Sequence, residues 1–272
     1  MAAHPRLSVH AVSLLGASLE ELDRQWRTIG LRRLSLISQQ LEADGEAAVA
    51  RMIAAGGYTV EAVTHVFAAG ALPTSADGIF TARDSLSHTI AAAARLGART
   101  VYMITGGRGS LTWRQAAEAF AEALRPCVAQ AEQAGVALAV ENASNLYVDV
   151  HLAHTLRDTI TLAEMAGIGI CLDHFHCWTE ADISELVAAA LPRLRLVQLS
   201  DYVLGDRALP ARAVPGDGAI PIRPFVEQVL AGGYTGGFDL ELIGPRIDAE
   251  QHVPAISRAC TIVSAMLDQM GA

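Results

Sequence analysis

The sequence predicts a single α/β domain over residues 1–272, folded as a parallel (β/α)8 barrel. Eight short apolar runs alternate with eight segments of helical periodicity, the order expected when each strand is followed by a crossover helix. The 272 residues contain no Pro/Ser-rich linker and no charge block, and such a barrel usually takes about 250 residues. Oxygen-bearing residues recur where the fifth to eighth runs end: Glu141, Asp173 after 32 residues, Gln198 after 25 more and Glu241 after 43 more. The first two intervals are one strand-helix unit each and the third is a unit plus a long loop. All four residues therefore fall at or near the C-terminal ends of strands, on one rim of the barrel.

Taken in order, residues 7–12 alternate weakly as the first strand, and Ser18 opens a helix with Glu21 three residues on, a capping-box spacing. Residues 31–37 form the second strand and 44–55 an Ala/Glu-rich helix. Residues 58–67 alternate as the third strand, which carries His65, and 82–96 are helical. The fourth strand, 99–105, closes on Gly106-Gly107-Arg108-Gly109. That turn could cradle an anion, but without the Lys-Ser/Thr of a P-loop it reads first as a plain strand-to-helix turn. A helix over 112–134 stops at Gly135. Residues 136–140 are continuously apolar, as expected of a strand covered on both faces, and end in Glu141-Asn142. A helix over 150–165 precedes the strand 168–172, which ends at Asp173, and a helix over 179–191 follows. The seventh strand, 194–199, carries Gln198 and leads to Ser200-Asp201. Helix 221–231, strand 237–242 with Glu241, and helix 249–270 complete the pattern.

Composition removes several classes of function. A net charge of −9 and a pI near 5.4 argue against a broad phosphate-backbone footprint. The chain is apolar, with a mean hydropathy of +0.30, yet no run of about 18 residues lacks charges or breakers, so no membrane span is expected. The first residues lack the basic and apolar blocks of a signal peptide, and a cytoplasmic location is expected. Cys127, Cys171, Cys177 and Cys260 include no Cys-x-x-Cys pair and read as buried thiols rather than a disulfide framework. All twenty basic residues are arginine. Without lysine, every Schiff-base mechanism through a side-chain amine is excluded, and a metal is the obvious alternative electrophile.

The stretch Gly169-Ile-Cys-Leu-Asp-His-Phe-His-Cys-Trp178 is an apolar strand that ends abruptly in Asp173, His174 and His176. Carboxylate and imidazole bind metals and carry protons, which makes Asp173 the centre of a candidate metal site. The bland reading of Asp-x-x-His is an exposed turn or a helix cap; the similar strand ends at Glu141, Gln198 and Glu241 favour the metal. His65 reads first as a hydrogen-bonded strand histidine, Arg207 and Arg212 as solvated loop residues, and Trp26 and Trp113 as packing. Phe175, Trp178 and Tyr202 could line an apolar wall.

The segments Val-Glu-Asn (140–142), Leu-Asp-His-Phe-His (172–176), Val-Gln-Leu-Ser-Asp (197–201), Pro-Gly-Asp-Gly-Ala-Ile (215–220) and Leu-Glu-Leu (240–242) resemble the metal site of the xylose-isomerase-like TIM-barrel superfamily. Its members include sugar phosphate isomerases and epimerases, tagatose epimerases, hydroxypyruvate isomerases and inosose dehydratases, and it is related to AP endonuclease IV. The resemblance spans the C-terminal half in sequence and the N-terminal half in architecture only. It implies Glu141, Asp173, Gln198 and Glu241 as ligands of one divalent cation, with His176 beside it contacting substrate. Gln198 stands where many epimerases of the family have His, as in the hydroxypyruvate-isomerase-like branch. Four oxygen donors favour Mn2+ or Mg2+, with Co2+ and Zn2+ as alternatives, and the scarcity of histidines counts against a trinuclear zinc site.

Such a site suits proton abstraction beside a carbonyl, the ion stabilising an enediolate while Glu141 and Glu241 act as acid and base and His176 or His174 shuttles a proton. The expectation is an isomerase or epimerase of a keto sugar, cyclitol or related polyhydroxy carbonyl compound, with His65, His174, Arg212 and Trp178 as candidate substrate contacts. A dehydratase or lyase on the same site is the first rival, and a non-catalytic barrel serving as a binding subunit of a larger assembly is the second. The expected partner is a small-molecule substrate, with no nucleic acid and no membrane; a homo-oligomer is compatible with the sequence. Finally, the 202–220 connection is long where about 2 to 6 residues are usual. With Arg207, Arg212, Asp217 and three glycines, it is expected to be a specificity element that orders over the metal, against the alternative of a disordered insertion.

Overall fold

The computed structural model describes residues 3–272. Its strands are β1 (Leu7–His10), β2 (Arg33–Ile37), β3 (Thr59–Val66), β4 (Thr100–Ile104), β5 (Ala137–Glu141), β6 (Gly169–Asp173), β7 (Leu194–Leu199) and β8 (Gly237–Leu240). They neighbour one another in chain order in a closed barrel, as the alternation of apolar runs predicts. The helices are α1 (Leu19–Ile29), α2 (Ser38–Asp44), α3 (Glu46–Gly56), α4 (Ala76–Arg95), α5 (Trp113–Ala134), α6 (Leu156–Ala166), α7 (His174–Cys177), α8 (Ile183–Ala190), α9 (Ile222–Ala231), α10 (Pro245–Glu250) and α11 (His252–Met270). No helix among the described residues is long and apolar enough to cross a membrane.

Three expected helices start late or divide, each at a residue with positive φ. The expected 44–55 helix is α3, which starts only after Gly45 with φ of 80°; α2, over Ser38–Asp44, precedes it and was not expected. The last is α10 and α11, divided at Gln251, whose φ of 72° is uncommon in a non-glycine residue. The expected 179–191 helix starts only at Ile183, after Asp182 with φ of 56°, while the short turn α7 begins straight off β6. In the other direction, α4 starts at Ala76, earlier than expected, because Ser75 caps it by accepting the Gly78 N–H.

Two compact units make up the chain. One comprises the residues up to Glu61 together with Leu196–Ala272. In it β1 pairs with β2 (Val9 opposite Leu34) and with β8 (Ser8 opposite Asp239), and β7 pairs with β8 (Gln198 opposite Asp239). Helix α1 buries Leu22, Trp26 and Ile29, with the Tyr58 ring edge-on to Trp26 at 5.8 Å and its hydroxyl donating to Asp23 Oδ1 at 2.7 Å. Helix α11 buries Ala259, Val263 and Leu267. A polar knot interrupts this core. Ser8 and Ser35 donate to Asp239 Oδ1 at 2.5 and 2.8 Å, and burial, outweighing those two bonds, pushes the Asp239 carboxyl up to about 7. Arg33 ion-pairs with the buried Glu61, which also accepts the Gly237 N–H at 3.2 Å.

The other unit is Ala62–Arg195. Strands β3 to β6 run parallel in it, with Ala62 opposite Thr100, Thr100 opposite Ala137 and Ala139 opposite Gly169. Their apolar faces meet Leu86 and Ile90 of α4, Phe120 and Leu124 of α5 and Leu162 of α6, all fully buried; Phe67 packs edge-on to Phe120 at 5.4 Å. Helix α5 opens with a complete capping box between Thr112 and Gln115 and closes on left-handed Gly135. The four cysteines are free and buried.

Candidate metal centre

Strands β5 and β6 end side by side, Glu141 opposite Cys171, so their last residues Glu141 and Asp173 emerge on neighbouring strand ends. Both are buried. Asp173 caps the turn that follows it, its Oδ1 accepting the Phe175 N–H at 3.0 Å, and that single turn carries His176 back over the carboxylate: His176 Nε2 lies 3.5 Å from Asp173 Oδ2. Here the cap and the metal readings of Asp-x-x-His describe one residue with two oxygens, one committed to the helix and one facing the histidine. Ligand atoms of Glu141, Asp173 and His176 all lie within 4.8 Å of one another. Donors on one ion at about 2.1 Å are at most about 4.2 Å apart, so small side-chain adjustments would close the set on a divalent cation.

The shell behind these three residues is buried and specific. Asn142 bonds twice to the Asp173 backbone, donating to its carbonyl at 2.8 Å and accepting its N–H at 2.9 Å. His151 Nε2 lies 2.8 Å from the Glu141 carbonyl oxygen and its Nδ1 accepts the Thr105 N–H at 3.0 Å, which fixes the proton on Nε2. Burial lowers His151 to about 4, so it serves as a neutral donor. The His176 ring is met edge-on by Phe175 at 5.1 Å and by Tyr147 at 6.4 Å, two aromatic faces beside two carboxylates. His174 is buried and lowered to about 4 by burial against the opposing pull of Asp173; Trp178, half-buried, donates its N–H to the His174 carbonyl. Burial pushes the Cys177 thiol well up, so it is no thiolate ligand.

In the other unit, Gln198 of β7 donates from Nε2 to Glu241 Oε2 at 2.8 Å, Glu241 standing one residue beyond β8. Arg212 pairs with Glu241 Oε1 at 3.0 Å and donates to Ser200 Oγ at 2.9 Å. Read singly as a solvated loop residue, Arg212 is instead only 2% exposed. The pairing explains the burial: a guanidinium is tolerated inside when its charge and donors are matched. Arg212 also helps lower the buried His10 to about 3, after desolvation as the larger cause.

Other expectations are placed differently. His65 turns its Nδ1 to Thr89 of α4 at 3.0 Å, the helix after its own strand, and burial lowers it to about 4; that nitrogen has the hydrogen bond of the bland reading, while the buried Nε2 has no partner among the described residues. In the glycine-rich turn 106–109 the first two N–H groups are committed to the backbone rather than free for an anion. The Gly106 N–H donates to Val150 and the Gly107 N–H to Gly70, and a Cβ on Gly107 would lie 2.4 Å from the Asp149 carbonyl oxygen, so glycine is needed there for close backbone approach. The 202–220 connection is tied down by an antiparallel bridge between Asp201 and Ala213 and by the ion pairs of Arg246 with Asp206 at 2.5 Å and of Arg258 with Asp217 at 2.6 Å. The sequence reading gave no role to Asn142, His151, Thr105, Ser200 or Asp201. Asn142 directly beside Glu141, and Ser200 and Asp201 within three residues of Gln198, were the available signal for three of them.

The model of one family, the xylose isomerase-like TIM barrel, matches residues 11–260. No curated protein matches the chain. Among solved structures, a protein of Sinorhizobium meliloti 1021 superposes with a TM-score of 0.83 at 22% identity, covering 98% of each chain. The IolI protein with a bound zinc atom gives 0.81 at 15%, over 97% of this chain and 99% of that one, and an L-ribulose 3-epimerase gives 0.78 at 20%, over 100% and 96%. At these identities the structural likeness speaks for the fold alone; the family match over most of the length, together with the closed barrel, makes the chain a member of the xylose isomerase-like TIM-barrel family.

Proposed function

We propose that the protein is a divalent-metal-dependent isomerase or epimerase of a keto sugar, cyclitol or related polyhydroxy carbonyl compound. The observation that carries this reading is the convergence of Glu141, Asp173 and His176 within 4.8 Å at the ends of β5 and β6. The L-ribulose 3-epimerase and the zinc-bearing IolI protein among its structural relatives support the substrate class and the ion. The proposed ligands are Glu141 and Asp173, with Gln198 and Glu241 assigned by resemblance. The nearness of the His176 imidazole shifts the choice of ion from Mg2+ towards Mn2+, Co2+ or Zn2+, which accept nitrogen more readily.

When bound, the ion would withdraw electron density from a substrate carbonyl and acidify the neighbouring C–H. The chain's own residues then move the proton. Glu241, ion-paired with Arg212, offers an anionic, acceptor-only group and is assigned as base. Glu141 is assigned as the group that returns a proton, to the opposite face in an epimerase or to the adjacent carbon in an isomerase. Tyr147 and Phe175, packed against His176, give the C–H face of a sugar an apolar surface, and His174 and Trp178 are the further proposed contacts.

The test is incubation of keto sugars and inososes with protein and Mn2+ in D2O. Recovered substrate or isomer carrying solvent deuterium, with no loss of water, supports the proposal. A product lighter by one water identifies a dehydratase. Protein that binds no divalent ion, exchanges no hydrogen and co-purifies with a fixed partner would be a binding subunit and would end the enzymatic reading.

A further inference from the structure

We propose that Asp201 is a positioning residue of this site: its buried carboxylate holds the 202–220 connection as a rigid strap and so seats Arg212 against Glu241. Asp201 is 1% exposed, and both of its oxygens are saturated by backbone donors. Oδ1 accepts the N–H groups of Tyr202 and Ile220 at 2.8 and 3.0 Å. Oδ2 accepts those of Gly216 and Gly218 at 2.8 and 3.0 Å. One side chain thus gathers both ends of the connection. A carboxylate is the only small side chain that can do this, because it presents two acceptor oxygens and no donor.

The strap is built for this anchor. Gly216 has φ of +100°, and a Cβ on Gly218 would lie 2.3 Å from the Tyr202 carbonyl oxygen and 2.4 Å from Asp201 Oδ1. The Asp201 backbone exchanges hydrogen bonds with Ala213 at 2.9 and 2.8 Å, which fixes the residue next to Arg212. The Arg212 N–H donates to the Ile243 carbonyl at 3.2 Å, two residues past Glu241. Its guanidinium is then held by Ser200 and Glu241 at 2.9 and 3.0 Å. Arg212 is consequently referenced to the ends of both β7 and β8 before any ligand arrives, and pre-organisation of a charged partner is what keeps a reactive carboxylate in one geometry. The 202–220 connection acts as a fixed wall rather than a closing lid.

The kinetic part of this inference rests on the proposed role of Glu241; the structural part does not. In Asp201→Asn an amide replaces one oxygen and leaves two of the four N–H groups facing a donor. Amide exchange over residues 212–220 is expected to rise at least about tenfold with β7 unchanged, since buried donors without acceptors open readily. The Arg212 guanidinium resonance of 15N-arginine-labelled protein, assigned with Arg212→Lys, should shift or broaden. kcat should fall about tenfold at unchanged KM and metal stoichiometry. Gly218→Ala, which displaces the carboxylate without changing charge, should give the same signature if the first variant folds poorly. Asp217→Asn, which loosens only the exposed pair with Arg258, should leave kcat within twofold. If exchange does not rise, or if it rises while the Arg212 resonance stays in place, the inference is overturned. Wild-type protein that turns over no substrate would sink the proposed function but leave the exchange and arginine readouts to decide on Asp201.

Discussion

The side-chain amide of Asn142 stands in for a peptide group opposite Asp173, donating to its carbonyl at 2.8 Å and accepting its N–H at 2.9 Å. The ladder between β5 and β6 ends at Glu141 and Cys171; Asn142 prolongs it by one rung with a side chain. Glu141 and Asp173 are thereby locked in register at the point where their carboxylates would share the proposed ion. We expect Asn142→Asp to weaken Mn2+ binding by about 10 to 100 times, the usual effect of removing a supporting partner, because a second oxygen would then face the Asp173 carbonyl. Isothermal titration checks this; unchanged affinity would show that the rung is dispensable.

Metal holding and proton transfer should separate by residue. Asp173 is fully buried and faces His176, so Asp173→Ala should lose the ion first, read as metal stoichiometry after gel filtration without chelator. Glu241→Gln keeps the shape but removes the anion that pairs with Arg212. It should lower kcat by about 100-fold or more, within the range for a lost acid or base, while metal remains bound to Glu141 and Asp173. Near-normal turnover in this variant with metal retained would sink the proposed chemistry.

Much of this was legible in the sequence, and the reason is local. A strand buried on both faces must be continuously apolar, so the residues where such a run stops, Glu141 after Ala-Leu-Ala-Val and Asp173 after Gly-Ile-Cys-Leu, announce themselves. Helix caps at Ser18, Thr112 and Gly135 follow equally local rules. What could not be read depends on partners distant in sequence. Asn142 meets a backbone 31 residues away and His151 one 46 residues away. Arg212 looked like a loop cation because its neighbours are Ala211 and Ala213, and only folding brings Ser200 and Glu241 to it. The breaks at Gln251 and Asp182 are invisible to periodicity, which reports the spacing of apolar side chains and not backbone φ.

The glycine-rich turn after β4 offers a prediction of stability. Gly107 is pressed against the Asp149 and Val148 carbonyls, with 2.4 Å left for a Cβ. Gly107→Ala should therefore destabilise the protein by roughly 1–3 kcal/mol, the cost of overpacking, and lower Tm by several degrees. Phosphate should not protect either protein from heat. Phosphate-dependent stabilisation of the wild type, lost in the variant, would restore the turn as an anion site.

The last prediction is an acid-side loss of stability set by buried histidines. His10 is lowered to about 3, and His65, His151 and His174 to about 4, in each case chiefly by burial, against a reference near 6.5. Between those values the unfolded chain binds protons that the native state refuses, so stability is complete above about pH 6.5 and falls as pH drops towards 4. Asp239 works the other way: raised to about 7, it stays protonated in the native state where the unfolded chain releases its proton, so its contribution declines as pH rises from about 4 to 7. One group opposes four, and the net slope favours neutral pH. A group displaced from about 6.5 to 4 is worth at most roughly 3.4 kcal/mol at 1.36 kcal/mol per unit. Thermal unfolding followed from pH 7.5 down to 4 should show Tm falling steadily below about 6.5. His151→Gln should flatten that decline measurably, because the Glu141 carbonyl can keep a neutral donor that no longer titrates, whereas a pH profile identical to wild type would mean that His151 is not the neutral, buried group that holds the end of β5.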